Sequence, residues 1–276
     1  MGIEIITNKI ALDRKQKSTV TRFVNKNCSY YYFLNFIKMT SGDAKDAIAL
    51  FHFDEELRLV LLKYILRLEI QMKKDFIDCV ENNTKDYSFW NNKIYYKKNY
   101  LTPSKSGKSS FDIMQNEILR RMKEMNFATV GPSDNRALYS CSFGTFRSMY
   151  TGIIFNNHIQ FTEKYIYHDK KSFDKLNAYL CSIQFIRNRC CHSNHIVSPK
   201  VSYAISKYAL DDFGITGFNT NFTKTINFIY RSLDNKKGMK KDVLKVLSKY
   251  YSIWSKYVAR HSIDANIIAD IDANWV

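Results

Sequence analysis

The segment Ile186-Arg187-Asn188-Arg189-Cys190-Cys191-His192-Ser193-Asn194-His195 holds the side chains best suited to chemistry. Arg187 is a permanent cation with directed donors, fit to stabilise developing negative charge. His192 offers an imidazole, the side-chain type whose ordinary pKa of ~6.5 suits taking or giving a proton near neutrality. The alternative is purely structural: an Arg in a core ion pair and a His capping a helix end.

Their placement depends on the helix expected over Ser172–His192. Leu176, Leu180 and Ile183 form its apolar stripe. At ~100° per residue, Arg187 returns to within about 20° of Leu176 and so projects from the apolar face. A guanidinium there must meet a carboxylate, a polar cavity or a second subunit, because it cannot shed its charge. His192 lies about 140° further round an unbroken helix. The two side chains therefore do not converge on one straight helix. They converge if the helix ends near His192 or if a partner subunit supplies a second pair.

A second strong helix is predicted from Asp54 to about Val80. Leu57, Leu61, Tyr64, Ile65, Leu68, Met72 and Phe76 recur at steps of three and four along one face. Asp54, Glu55 and Glu56 read as its first turn, where carboxylates suit the positive end of the dipole. Glu69 sits at the edge of the apolar face. It could pair with Lys73, four residues on, or hold Arg187. A short helix at an aromatic cluster within 17–38 is expected, and further helices over 111–127, 135–150, 156–168, 200–210, 221–232 and 240–260. Breaks are expected at Gly131-Pro132-Ser133 and Ser198-Pro199. With only 3 Pro and 9 Gly in 276 residues, sandwiches, propellers and barrels lack the turns they need. The expectation is one all-α domain over residues 1–276, with a polar, basic insertion at about 82–110.

Charge narrows the partner. The chain carries 42 Lys and Arg against 26 Asp and Glu, a net charge of +16. That exceeds the ~2–8 units that suffice for solubility and points to a polyanion, nucleic acid first. In the insertion, Lys93, Tyr96, Lys97, Lys98, Lys105 and Lys108 interleave cations with aromatics. Single-stranded RNA is bound by that combination, lysines on phosphates and rings on bases. The competing reading is a solvated loop whose tyrosines pack inward. No apolar run reaches the ~18–20 residues of a membrane span. The first seven residues lack a basic region followed by an apolar core, so a secretory leader is not expected. A cytoplasmic chain without a membrane partner is the expectation. Six cysteines are scattered without a Cys-x-x-Cys pair, so neither a metal nor any other cofactor is expected. Thr102-Pro103-Ser104-Lys105-Ser106-Gly107-Lys108-Ser109 is a near miss to a phosphate-binding loop. Thr102 stands at its first glycine, and no strand pattern surrounds it.

Arg187-Asn188, three residues, then His192 resembles the Arg-x4–6-His motif of the HEPN superfamily, whose pattern includes a polar residue straight after the Arg. Phe53-Asp54-Glu55-Glu56-Leu57-Arg58-Leu59, followed by Leu68-Glu69-Ile70, resembles the "FDxxLR…IE" helix of the Abi-like abortive-infection proteins. Ser142-Phe143-Gly144-Thr145 is similar to their central "SFG" element. The three blocks come in the same order, and the resemblance spans roughly 20–260. Many relatives follow the motif His with another His and then an Arg, where this chain has Ser193 and, nearby, His195.

The resemblance implies a HEPN-type helical bundle with additional helices and a metal-independent endoribonuclease of antiphage defence. It assigns proton transfer to His192, phosphate orientation and charge stabilisation to Arg187, hydrogen-bonding support to Asn188, and a supporting carboxylate to Glu69. It implies a homodimer with a composite site, RNA as partner, and a bound noncoding RNA as possible regulator. Two rivals keep the same sequence features: a non-catalytic module that holds a structured RNA, and an antitoxin-like regulator of a partner protein.

Overall fold

The structure, a computed structural model, describes residues 12–124, 136–166, 171–192, 195–197, 220–259, 263 and 266–275. The predicted helix over 200–210 and residue Ser193 lie outside them. Among the described residues the elements are α-helices, with three single 3-10 turns and no strand. The first three helices are α1 (Arg14–Asn27), α2 (Tyr30–Met39) and α3 (Ala44–Thr84). Next come α4 (Lys98–Leu101), α5 (Ser110–Glu124), α6 (Arg136–Ser140), α7 (Phe143–Gly152) and α8 (Ile159–Tyr165). The chain continues with α9 (Ser172–Cys191), α10 (Thr220–Ser232), α11 (Met239–Lys249), α12 (Tyr251–Tyr257) and α13 (Ile267–Asn274).

The axis of the fold is α3, 41 residues long, or about 60 Å at ~1.5 Å per residue. All seven residues of its predicted stripe are fully buried. Its start corrects the sequence reading. Ser41 (φ 53°) and Gly42 (φ 93°) turn the chain in the left-handed region. Asp43 then caps the helix by accepting the Asp46 N–H at 2.9 Å. Asp54 therefore lies ten residues inside α3 and is fully buried. Its carboxylate does not serve the helix dipole. The helical period simply continues upstream through Ala44, Ala47, Leu50 and Phe51, all buried.

Helices α2, α9, α11 and α12 pack on α3. The last two run antiparallel to it and are pinned by three clamps of one design. Lys63 Nζ and Tyr64 OH both donate to Asp242 Oδ2, at 2.7 and 2.8 Å. Lys249 and Tyr250 do the same to Glu56 Oε1, both at 2.6 Å. Lys256 and Tyr257 share Asp46 Oδ2. In each, a Lys-Tyr pair faces a carboxylate on the other helix. One contiguous hydrophobic cluster runs from Leu12 to Trp275. No helix among the described residues is long and apolar enough to cross a membrane.

The basic insertion is a folded element, which corrects two of its assignments. Phe89, Trp90 and Tyr96 are buried. Tyr96 donates to the Trp90 carbonyl at 3.2 Å, stacks 5.6 Å from Tyr100 and meets the Phe111 ring at 4.8 Å. Its ring faces the core, so it offers no face to a base. Lys97 is held inward too. Its Nζ donates to the Thr151 carbonyl at 2.8 Å and lies 4.1 Å over the Phe173 ring. Burial pulls its pKa below the ordinary lysine value. Lys93, Lys98, Lys105 and Lys108 are exposed. The 102–109 segment is a turn with Gly107 at φ 79°, and no strand precedes it among the described residues.

Candidate functional site

Arg187 sits in the last turns of α9 and His192 caps its C-terminus, its backbone N–H bonded to the Asn188 carbonyl at 3.0 Å. The helix thus ends at His192, as convergence within one chain would require. The Arg187 side chain is 26% exposed. The His192 side chain is exposed. No hydrogen bond joins the two side chains. Arg187 Nη1 reaches Asn188 Oδ1 at 3.4 Å, the outer limit of a hydrogen bond.

Under Arg187 lies Glu69, which is buried in α3 rather than at its edge. Both pairings open to Glu69 occur at once. Its Oε1 accepts from Lys73 Nζ at 2.6 Å. Its Oε2 lies 3.7 Å from Arg187 Nε. Lys73 Nζ also donates to the Cys141 carbonyl at 2.6 Å, directly before the Ser-Phe-Gly element. Ser142 caps α7 by accepting the Thr145 N–H at 3.1 Å. α7 packs against α9 beside Gly144. A Cβ built there would lie 2.9 Å from Gln184 Nε2, three residues before Arg187. A cleft of about 530 Å³ opens beside this junction, its lining including Lys108, Asn116, Arg120, Ser142, Gly144 and Ser148.

Sequence reasoning missed the role of Asp54. Its Oδ2 accepts from Arg58 Nε at 2.8 Å. Its Oδ1 accepts the backbone N–H groups of Ile196 and Val197 at 2.8 and 2.9 Å. Full burial pushes its carboxyl above the ordinary range, against the pull of those amides and of Arg58. The signal was present: an Asp–Arg pair four apart, lying on a stripe that the period marks as core. His195 is buried as well. Its ring stacks on Tyr32 at 4.1 Å and meets Phe36 edge-on at 4.4 Å. Burial, then the nearby guanidinium groups of Arg58 and Arg189, pulls its pKa down to about 4. A neutral, stacked imidazole anchors the chain after the motif.

Lys93, Lys98 and Lys105 are scattered over the insertion's exposed surface. Lys108 alone of the predicted cations lines the cleft beside α7. Among the described residues no cluster of His, Cys, Asp and Glu could hold a metal ion. No curated protein and no solved structure gives a significant match to this chain. The model of the Abi-like protein family matches residues 23–198, more than half the chain. That span takes in the Asp54–Arg58 pair, Glu69, the Ser-Phe-Gly element, and Arg187 with His192. The chain belongs to the Abi-like protein family.

Proposed function

We propose that this protein is a HEPN-type, metal-independent endoribonuclease acting in abortive-infection defence in the bacterial cytoplasm. One observation carries the reading. Arg187 is seated over the buried Glu69 carboxylate, and the exposed His192 ends the same helix. A cation held in place and an uncommitted imidazole are the two groups that 2′-OH attack requires. His192 takes the 2′-OH proton as the 2′-oxygen bonds to phosphorus, and Arg187 stabilises the charge that develops on the phosphoryl oxygens. The P–O5′ bond breaks, a proton passes to the departing 5′-oxygen, and a 2′,3′-cyclic phosphate remains.

No hydrogen bond joins the Arg187 and His192 side chains within one chain, which supports a composite site across a homodimer. Exposed Ile70, next to Glu69 in sequence, and exposed Phe185, two residues before Arg187, are apolar surface suited to that contact. The net charge of +16 and the exposed lysines support RNA as the partner. A noncoding RNA could occupy the same surface as regulator. The lack of a hydrogen bond between Arg187 and His192 also favours a second reading, a non-catalytic module holding a structured RNA.

The test is cleavage of total RNA in EDTA by wild type and by His192→Ala, with end-group analysis. Cleavage by wild type alone, leaving cyclic-phosphate ends, is the expected outcome. Equal cleavage by both removes His192 from the mechanism. No cleavage by either favours the binding module.

A further inference from the structure

Three charged side chains meet beneath the end of α9, and their charges do not cancel. Glu69 and Lys73 have side chains only 8% and 5% exposed. The Lys73 ammonium faces three acceptors, Glu69 Oε1 and the carbonyls of Cys141 and Tyr139, at 2.6, 2.6 and 3.4 Å. Its three N–H groups are thereby used. Glu69 Oε2 and Arg187 Nε are both buried, and neither has a hydrogen-bond partner. They lie 3.7 Å apart, close enough for Coulomb attraction and too far for a hydrogen bond.

A carboxylate whose only partner is an arginine closes to ~2.7–2.9 Å, commonly through two parallel bonds. Glu69 divides its single charge between Lys73, bonded to Oε1, and Arg187, which stays outside hydrogen-bond range of Oε2. The cluster therefore contains two cations and one anion. Glu69 and Lys73 are buried, but the Arg187 side chain is a quarter exposed, so the surplus positive charge is presented at the surface, where an anion can meet it. We infer that Lys73 is a positioning residue for Arg187: by holding Glu69 it leaves the guanidinium under-neutralised, and the surplus charge is met by a phosphodiester of bound nucleic acid. Lys73 touches no substrate. It acts through Glu69, and it ties that carboxylate to the backbone leading into the Ser-Phe-Gly element. The inference rests on the assignment of Arg187 to phosphate.

The test uses a 2′-O-methyl oligoribonucleotide, which offers phosphodiesters but no 2′-OH, so binding is read apart from cleavage. Full-length wild type is compared with Lys73→Met, Glu69→Gln and the double variant, with a thermal melt of each to confirm folding. In Lys73→Met, Glu69 closes on Arg187, and affinity falls about tenfold, the worth of one charge-assisted hydrogen bond. In the double variant the uncharged amide at position 69 cannot neutralise Arg187, and affinity returns to within about threefold of wild type. Glu69→Gln alone binds no more weakly than wild type, and this arm holds even if Lys73→Met does not fold. A merely structural Lys73 gives a different pattern. The Cys141 and Tyr139 carbonyls lose their donor in both Lys73 variants, so adding Glu69→Gln would restore nothing. That result, or weakened binding by Glu69→Gln, overturns the inference. Wild type that folds but does not bind the probe overturns the inference and the ribonuclease reading together. The expected binding pattern without cleavage of unmodified RNA overturns the ribonuclease reading alone.

Discussion

Asp54 Oδ1 accepts the backbone N–H of Ile196 at 2.8 Å, joining positions 142 residues apart. The same oxygen takes the Val197 N–H. A carboxylate ten residues into α3 thus fixes the chain at Ile196 and Val197. His195, directly before them, is stacked on Tyr32, and Arg189 Nη1 donates to its carbonyl. Residues 195–197 are held by three independent contacts.

Asp54→Ala leaves two buried amides without an acceptor and a buried Arg58 without a counter-charge. Breaking one side of a buried pair costs about 3–5 kcal/mol, read as a lower midpoint in urea unfolding. Asp54→Asn keeps one oxygen for the amides and loses less. A change below about 1 kcal/mol in Asp54→Ala would contradict the clamp.

Acid should unfold the protein partly through two histidines. His158 is fully buried, with neither ring nitrogen hydrogen-bonded. Tyr150, Phe155, Phe76 and Phe173 surround it at 4.9 to 5.9 Å. Burial lowers its pKa to about 4, as it does for His195. In the unfolded chain both bind a proton near the ordinary value of ~6.5. Between about pH 6.5 and 4 the unfolded state therefore holds more protons, and stability falls as pH falls. From pH 7 to 5 each histidine contributes a loss of up to about 2 kcal/mol. Unfolding free energies of wild type and His158→Phe across that range test it. The variant should show the shallower slope, and parallel curves would remove His158 as a cause.

The exposed lysines and the buried Tyr96 of the insertion should separate in a salt titration of RNA binding. Replacing Lys98, Lys105 and Lys108 with Ala flattens the slope of log K against log salt by about 0.7 for each phosphate no longer engaged, or about 2 in all. Tyr96→Phe removes the hydrogen bond to the Trp90 carbonyl, costs about 1 kcal/mol of stability, and leaves the salt slope unchanged. An unchanged slope in the triple variant would place the RNA path elsewhere.

The local grammar of the chain was legible because helix periodicity is written within three and four residues. The stripe from Leu57 to Phe76 and the helix ending at His192 were both readable that way. Element boundaries were less so. The predicted helix over 135–150 is two helices broken at Cys141 and Ser142, and that over 240–260 is broken at Tyr250. Apolar residues continue through both breaks, and periodicity registers no interruption. For the same reason the start of α3 was misplaced. Ala44 to Phe53 is as helical in pattern as the turns after it, so the acidic run at 54–56 looked like a beginning.

The sequence by itself determined the all-helical class, the basic character, the family blocks, and the need for a partner at Arg187. A guanidinium on an apolar face carries that demand wherever it is placed. Which partner answers it was decided only by packing. Glu69 serves Lys73 and Arg187 together because α9 crosses α3 at that level, and Lys73 reaches Cys141 because α7 starts there. Tyr96 and Lys97 turn inward because Phe111, Tyr100 and Phe173 close over them. Asp54 became the anchor of the motif through amides far away in the chain. Composition and spacing state what each side chain needs. The depth at which it is buried, and what meets it there, is a property of helices brought together from distant parts of the chain.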